Sequence, residues 1–409
     1  MAVERAQLGA AVRGAVAVTK RVLMVAFHFP PSGAVAAQRA HKFARYLPEF
    51  GWEPIVVARR PDPLQPRDDS FAGKPAPAEE LSPTERSRML GILPKGWIDP
   101  VRRFLCFPDE ETGWRRLLRK TLPKLIDRHK PDVLWSNSVP TGSLVAAAAV
   151  ARDLRLPLVV DFHNEWTRNM YYEPATRWHD RAHHRLEREV IETARAVTTL
   201  NPMHTEDLLT RFPRTRVETI ENGCDPEDYS VDPPQPARRP LVFTYAGAVY
   251  GYQTPLPFLK TLARTGVMDV EVKVVGDRFN QFTAGTWPFP VSVEGHRTHR
   301  ELGAVFSASS AFFLCLETPA ARQLPAKLYE YLRAGRPTFA IVPRYGAAAE
   351  WLTRTGAGAW VDTATPASWV QVLKAFIESL ERYVAPSTEP FLRRNLTQRL
   401  AKILDEVKK

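Results

Sequence analysis

The chain has 409 residues, 44% hydrophobic, 25% charged and 10% aromatic, which excludes a disordered, collagen-like or coiled-coil protein and is too long for one compact core, so two domains are expected. A net charge of +11 means that some surface attracts anions, whether phosphorylated ligands, nucleic acid or an acidic membrane leaflet. The cysteines Cys106, Cys224 and Cys315 are odd in number and far apart, which argues against a disulfide framework or a zinc cluster and suits a reducing cytoplasm.

Residues 1–19 read as a loose extension, because Arg5 and Arg13 break the apolar run and no small-residue cleavage site follows. No stretch approaches the roughly 20 apolar residues that span a bilayer, so no membrane crossing is expected. Arg21–Phe27 is a short continuous apolar run bounded by Pro30 and Pro31, the pattern of a strand buried on both faces. A helix is predicted from about Ala36 to Phe50, with Phe43, Tyr46 and Leu47 on one side and Gly51 as its stop, before a strand at Pro54–Ala58. Residues 60–100 are rich in proline, charge and small side chains without a sustained period, and read as a surface insertion. Strands at Pro131–Ser136, Leu156–Asp161, Ala196–Leu200 and Val217–Ile220, with a helix through Leu144–Leu154, continue the alternation.

The proline-rich stretch 233–240 interrupts the pattern and reads as a linker. Beyond it the rhythm restarts, with strands at Leu241–Tyr245, Val270–Val275, Ala311–Leu316 and Thr338–Val342 and helices beginning near Leu256, His299 and Pro325. Two α/β domains of this kind hold a ligand in the crevice between them, outside the carboxyl ends of the strands.

Chemistry-bearing residues stand at those strand ends. The turn His28–Arg39 carries Gly33 into a helix start; it suits phosphate, or is only a tight strand-to-helix connection. After the strand ending at Val160 come Asp161, His163, Glu165 and Trp166. His163 is the candidate for contact with a reacting sugar, with Asp161 or Glu165 to orient it or accept a proton; the alternative is a buried hydrogen-bonded histidine beside a capping aspartate. In the second half Pro325 opens and Gly335–Pro337 closes a helix on which Lys327 and Glu330 share a face. A carboxylate there can accept two ribose hydroxyls and the ammonium can neutralise a phosphate; the alternative is a surface ion pair. Residues 113–130 read as a basic amphipathic helix whose apolar stripe covers the sheet and whose cationic face can rest on anionic lipid. No nucleic-acid-binding motif is present, so no nucleic-acid partner is expected.

At Leu324–Pro337 the chain resembles the donor-binding helix and following turn of family 4 glycosyltransferases. The FPPSG turn at 29–33, Phe107-Pro108-Asp109 with Trp114, the Asp161–Trp166 segment, Glu221–Asp225 and Tyr245–Tyr250 are similar to other stretches of that family, in the same order over about 20–362. The resemblance implies an α/β GT-B fold: two Rossmann-like, doubly wound parallel-sheet domains facing a central cleft. The acceptor domain would span 20–232, the donor domain 241–386, and a terminal helix over 387–409 would cross back to the first domain. It also implies retaining transfer of a sugar from a UDP- or GDP-type donor, with no metal or other cofactor, to a saccharide, lipid-linked or small-molecule acceptor. The process would be surface polysaccharide or glycoconjugate synthesis, in the cytoplasm or on the inner face of the membrane.

By that resemblance Glu330 would hold the ribose, Lys327 would lie near the diphosphate, and Gly33 and Gly247 would let backbone approach the donor. His163 would sit near the donor sugar, and the loop with His296 and Arg297 would contact the base. Two positions depart from the family pattern. Arg322 stands where a second glutamate is common, so that either Glu317 replaces it or Arg322 binds phosphate. Gln253 stands where many relatives carry a cation. The rival expectations are a sugar-nucleotide epimerase of related architecture and a non-catalytic nucleotide-sugar-binding protein.

Overall fold

The computed structural model describes residues 20–61, 77–83, 101–232, 239–247, 249, 251–276, 286–295, 297–298 and 300–409. The extension 1–19, most of the 60–100 stretch, most of the 233–240 linker and His296 lie outside the described residues.

Seven strands form the first sheet: β1 (Lys20–Ala26), β2 (Trp52–Arg59), β3 (Glu79–Leu81), β4 (Val133–Asn137), β5 (Leu158–Phe162), β6 (Ala196–Thr199) and β7 (Val217–Thr219). Their order is β3-β2-β1-β4-β5-β6-β7, parallel throughout. The continuous apolar runs are explained by cover on both faces. Helices Thr112–His129, Thr141–Leu154, Arg177–Thr193 and Pro202–Arg211 bury Trp114, Leu118, Leu144, Val190 and Leu208 against one face. Helix Val35–Tyr46 and the terminal helix Arg393–Lys408 bury Ala40, Phe43, Leu396, Leu400 and Leu404 against the other.

The second sheet has β8 (Leu241–Ala246), β9 (Val270–Val275), β10 (Val291–Glu294), β11 (Ala311–Cys315), β12 (Thr338–Val342) and β13 (Gly358–Asp362). Its order is β10-β9-β8-β11-β12-β13, again parallel. The architecture is the expected two-sheet α/β GT-B arrangement. The terminal helix reaches the first lobe through a joint: Cys224 bridges Leu392 in parallel, and its N–H donates to the Phe391 carbonyl at 3.0 Å. Gly223 makes the joint possible, since a Cβ there would stand 2.2 Å from the Phe391 oxygen.

The structure adds elements that periodicity did not show. Glu79–Leu81, inside the stretch read as an insertion, pairs with the outer edge of the first sheet. Helix Arg177–Thr193 is mostly polar and buries only a few side chains, among them Val190 and Ile191, so its apolar stripe is too narrow to stand out. The helix expected near His299 begins at Leu302, and the one expected at Pro325 begins at Lys327. Among the described residues no helix is long and apolar enough to cross a membrane.

Candidate functional site

In each sheet the direction of strand addition reverses once, between β1 and β4 in the first lobe and between β8 and β11 in the second. Such reversals open a crevice at the strand ends where ligands settle. Lys327 occupies the second crevice. Its ammonium lies 3.8 Å from the centre of the Tyr245 ring at the end of β8, and acts on the Cys315 thiol at the end of β11. The Nζ is buried with no hydrogen-bond partner. Burial lowers its pKa to about 7, against a small opposing effect of Cys315. Gly247, at φ +127, passes directly over this ammonium.

Glu330 is buried on the same helix and accepts a hydrogen bond from the Tyr229 hydroxyl. Lys327 and Glu330 therefore do not form the surface ion pair that their spacing allows. Tyr229 enters from the segment that leaves the first lobe, and nothing in the sequence marked it as Glu330's partner. Arg333, one turn on, lies 4.1 Å from the Tyr229 ring centre and fixes its position.

In the first lobe β5 carries Asp161 and delivers His163. Asp161 is fully buried, and both its oxygens are engaged: Arg39 donates to Oδ1 at 2.8 Å and to Oδ2 at 2.9 Å, and the Thr198 hydroxyl donates to Oδ1 at 2.5 Å. Arg39 also donates to the Glu221 carbonyl at 3.0 Å. Through these bonds Asp161 ties β5 and β6 to helix Val35–Tyr46. His163 is held through its backbone N–H, which donates to Ser138 Oγ at 2.9 Å, while its buried Nδ1 has no partner. Burial foremost, then the Arg39 charge, lowers its pKa to about 4. His28, which follows β1 and was quoted only as the start of a turn, is close enough to act on His163 electrostatically; it is itself lowered to about 4 by burial and by Arg59.

The two lobes meet over a cavity of about 130 Å³ lined by His163, Glu165, His204, Asn222, Arg322 and Pro325, among others. Glu165 does not reach toward His163 as a base. Its Oε1 accepts two hydrogen bonds from Arg322, that from Nε at 2.7 Å, and its Oε2 is buried without a partner. Burial raises the Glu165 pKa against the pull of Arg322. Arg322 is thus a link across the cleft, and its carbonyl also accepts from Asn201 at 3.2 Å. A second cross-lobe pair joins Arg354 to Glu221.

The remaining predicted residues lie apart from this cavity. Glu317 is exposed and borders a depression of about 310 Å³ at the ends of β11 and β12, with Thr254 and Trp369. Gln253 is half-buried in the segment whose Tyr252 carbonyl accepts from the Glu317 N–H at 3.0 Å. Arg297 sits beyond the edge strand β10 and pairs with Glu294 at 3.0 Å. Gly33 is half-buried in a turn closed by Ser32 N–H donating to the Phe29 carbonyl at 3.0 Å. Asp109 accepts from the Thr141 hydroxyl at 2.9 Å and from the Gly142 N–H, capping helix Thr141–Leu154. Trp114 donates to Ser143 at 2.8 Å, so this stretch is a brace.

With this geometry fixed, the likeness to known proteins can be placed. Residues 36–228 match the family described as Glycosyltransferase Family 4. No curated protein matches the chain. A glycosyltransferase from Rickettsia africae ESF-5 superposes at TM-score 0.64 with 13% identity, covering 95% of this chain and 99% of that one. An α,α-trehalose 6-phosphate synthase from Burkholderia multivorans gives 0.56 at 13%, covering 95% and 94%. The Anabaena protein HepE, solved in complex with UDP, gives 0.57 at 13%, covering 95% and 97%. At these identities the structures share the fold, and the resemblance to family 4 read from the sequence is borne out.

Proposed function

We propose that this family 4-like glycosyltransferase moves a sugar from a UDP- or GDP-linked donor to a hydroxyl of a saccharide or lipid-linked acceptor, with retention of configuration and without a bound metal. The observation that carries the reading is the buried ammonium of Lys327 at the β8/β11 crevice, which has no anionic partner among the described residues. A buried cation without a counter-ion is costly, and a diphosphate would relieve that cost.

In this reading the diphosphate lies on the backbone of Gly247, above the Lys327 ammonium, and the sugar extends toward the interlobe cavity and the neutral His163. The acceptor oxygen bonds to the anomeric carbon on the face from which the diphosphate departs, and the acceptor proton passes to the departing phosphate oxygen. The charge that grows on that oxygen is met by Lys327, fixed before the reaction begins. The neutral His163 ring lines the interlobe cavity, so its contribution is positioning through a hydrogen bond to a sugar hydroxyl. The chemistry would take place in the cytoplasm, and the cationic face of helix Thr112–His129 supports contact with the inner face of the membrane.

The test is a thermal-shift screen of UDP- and GDP-sugars followed by transfer to a mixed saccharide acceptor. A donor that raises the melting temperature of the wild type and not of Lys327→Ala supports the site; equal shifts in both reject it. The Arg322–Glu165 link across the cleft favours one second reading, a protein that binds nucleotide sugar without turnover, which the same screen would show as stabilisation without product. Conversion of the donor with no acceptor present would instead mark an epimerase.

A further inference from the structure

A cavity of about 400 Å³ lies in the first lobe, between the segment after β5 and the segment before helix Thr112–His129, and is of the size that small-ligand sites have. Trp166, Tyr171 and Tyr172 line it. The Tyr171 ring lies 6.2 Å from that of Tyr252 in the second lobe, so the cavity stands at the interlobe gap. Among the described residues Glu165 alone lines both this cavity and the smaller interlobe one.

Two polar groups of this lining are left unused by the fold. The Glu165 side chain is 5% exposed; Arg322 takes its Oε1, and its Oε2 is buried without a partner. His183 carries the other. Trp166 Nε1 can only donate and lies 3.1 Å from His183 Nδ1, so Nδ1 accepts. The ring is neutral, its pKa lowered to about 4 by burial foremost and then by His179, and its one proton therefore sits on Nε2. That Nε2 makes no hydrogen bond among the described residues. A fixed acceptor and a fixed donor beside an aromatic wall fit a sugar ring, whose hydroxyls both donate and accept and whose carbon–hydrogen faces are apolar. A buried carboxylate oxygen left unbonded is costly, and a hydroxyl donor relieves that cost.

Charge narrows the choice. Asp109, Glu110, Glu165 and Glu173 stand in the lining against Arg103, in a chain whose net charge is +11. Arg103 is already paired with Glu173, Arg102 with Glu110 at 2.9 Å, and Arg322 with Glu165. An incoming carboxylate or phosphate would meet like charge and no uncommitted cation among the described residues of the lining.

We infer, resting on the transferase reading above, that Glu165 and His183 select the acceptor: Glu165 Oε2 accepts from one hydroxyl of its terminal sugar, His183 Nε2–H donates to another, and the acidic lining admits a sugar without an anionic substituent while turning away a uronic or phosphorylated one. Arg322 holds the same carboxylate from the second lobe, so the group that reads the acceptor is oriented when the lobes are together.

Saturation-transfer NMR on the full chain tests this with the methyl glycosides of glucose, galactose, mannose and N-acetylglucosamine, each beside its 6-phosphate and, for the hexoses, its uronate. At least one parent glycoside should bind at least tenfold more tightly than its own charged partners. His183→Phe and, separately, Glu165→Gln, which keeps an oxygen for Arg322, should each weaken that binding at least fivefold. Glu173→Gln frees the Arg103 guanidinium, and should leave the parent within about twofold while improving a charged partner at least fivefold. A UDP-induced thermal shift like the wild type's shows that each variant is folded. No binding by any parent, no parent reaching the tenfold preference, or wild-type binding by both His183→Phe and Glu165→Gln overturns the inference and leaves the transferase reading standing. A missing nucleotide shift in the wild type, with glycoside binding as expected, would instead strike the transferase reading and leave the cavity a sugar-binding site.

Discussion

The Lys327 ammonium packs directly under the backbone of Gly247: a Cβ on that glycine would stand 2.9 Å from Nζ and 3.2 Å from Cε. Gly247 is also at φ +127, a conformation that side chains strain to adopt. Gly247→Ala should therefore lower stability by about 1–3 kcal/mol and weaken nucleotide binding at least tenfold by pushing the ammonium aside. Urea denaturation with UDP titration checks both, and unchanged affinity would separate Gly247 from the donor site.

Lys327 makes binding sensitive to pH in a direction that its surroundings fix. Facing it are the Tyr245 ring and the Cys315 thiol, which burial pushes up to about 12 and so keeps neutral. The free ammonium titrates at about 7, and a bound diphosphate would raise that value. Binding then takes up a proton above neutrality, and affinity should fall by up to about tenfold per pH unit there. The folding term has the opposite sign: the folded pKa lies below the unfolded one, so the destabilisation is full below pH 7 and fades as pH rises toward 10. Lys327→Met should melt higher than the wild type at pH 6 while losing nucleotide binding. Calorimetry in buffers of different ionisation enthalpy measures the proton uptake.

The link between Arg322 and Glu165 predicts a mechanical effect. Arg322→Ala leaves a buried carboxylate whose pKa burial has already raised. Because the Arg322 side chain is 33% exposed, solvent screens the pair, and we expect about 1–2 kcal/mol of lost stability rather than the larger cost of a fully buried one. The lobes should also separate more readily, giving a larger radius of gyration in small-angle scattering without ligand. An unchanged radius would mean that other cross-lobe contacts hold the cleft.

Much of the fold was legible because parallel strands buried on both faces leave unbroken apolar runs, as in Val22–Ala26 and Phe312–Cys315. The site was legible only by strand end. Lys327 and His163 stand at the crevices where such reasoning points, but partners contributed by distant segments leave no local trace. Nothing near Glu330 names Tyr229, and nothing near Glu165 names Arg322, some 157 positions away. His28 was the exception: it directly follows a predicted strand, and the same rule that selected His163 would have selected it.

Asp161 offers a sharp contrast between a strut and a catalyst. With Arg39 and Thr198 occupying its oxygens at full burial, Asp161→Asn leaves the Arg39 guanidinium without its counter-ion. That should cost about 3–5 kcal/mol of stability. Nucleotide affinity of the protein that remains folded should stay within about twofold of the wild type, since nothing at the Lys327 crevice changes. Chemical denaturation and UDP titration at low temperature measure the two, and a large loss of affinity at preserved stability would return Asp161 to the chemistry.

His163 distinguishes a hydrogen-bond partner from a proton carrier. Burial and Arg39 lower its pKa to about 4, so the ring is neutral from pH 5 upward and kcat/KM should show no limb near the ordinary histidine value of about 6.5. His163→Gln keeps a polar contact and should retain more activity than His163→Ala, with the loss in kcat exceeding the change in KM if the contact tightens in the transition state. Stability carries the same assignment. His28, His41 and His183 are also lowered to about 4 and His204 to about 3, so the unfolded chain binds more protons than the folded one below pH 6.5. Stability should therefore fall as pH drops from 6.5 toward 4, each group contributing up to about 1.4 kcal/mol per pH unit. His163→Gln should flatten that fall by one group's share, and a rate limb near 6.5 that disappears in His163→Gln would show the ring to be exchanging protons in the reaction.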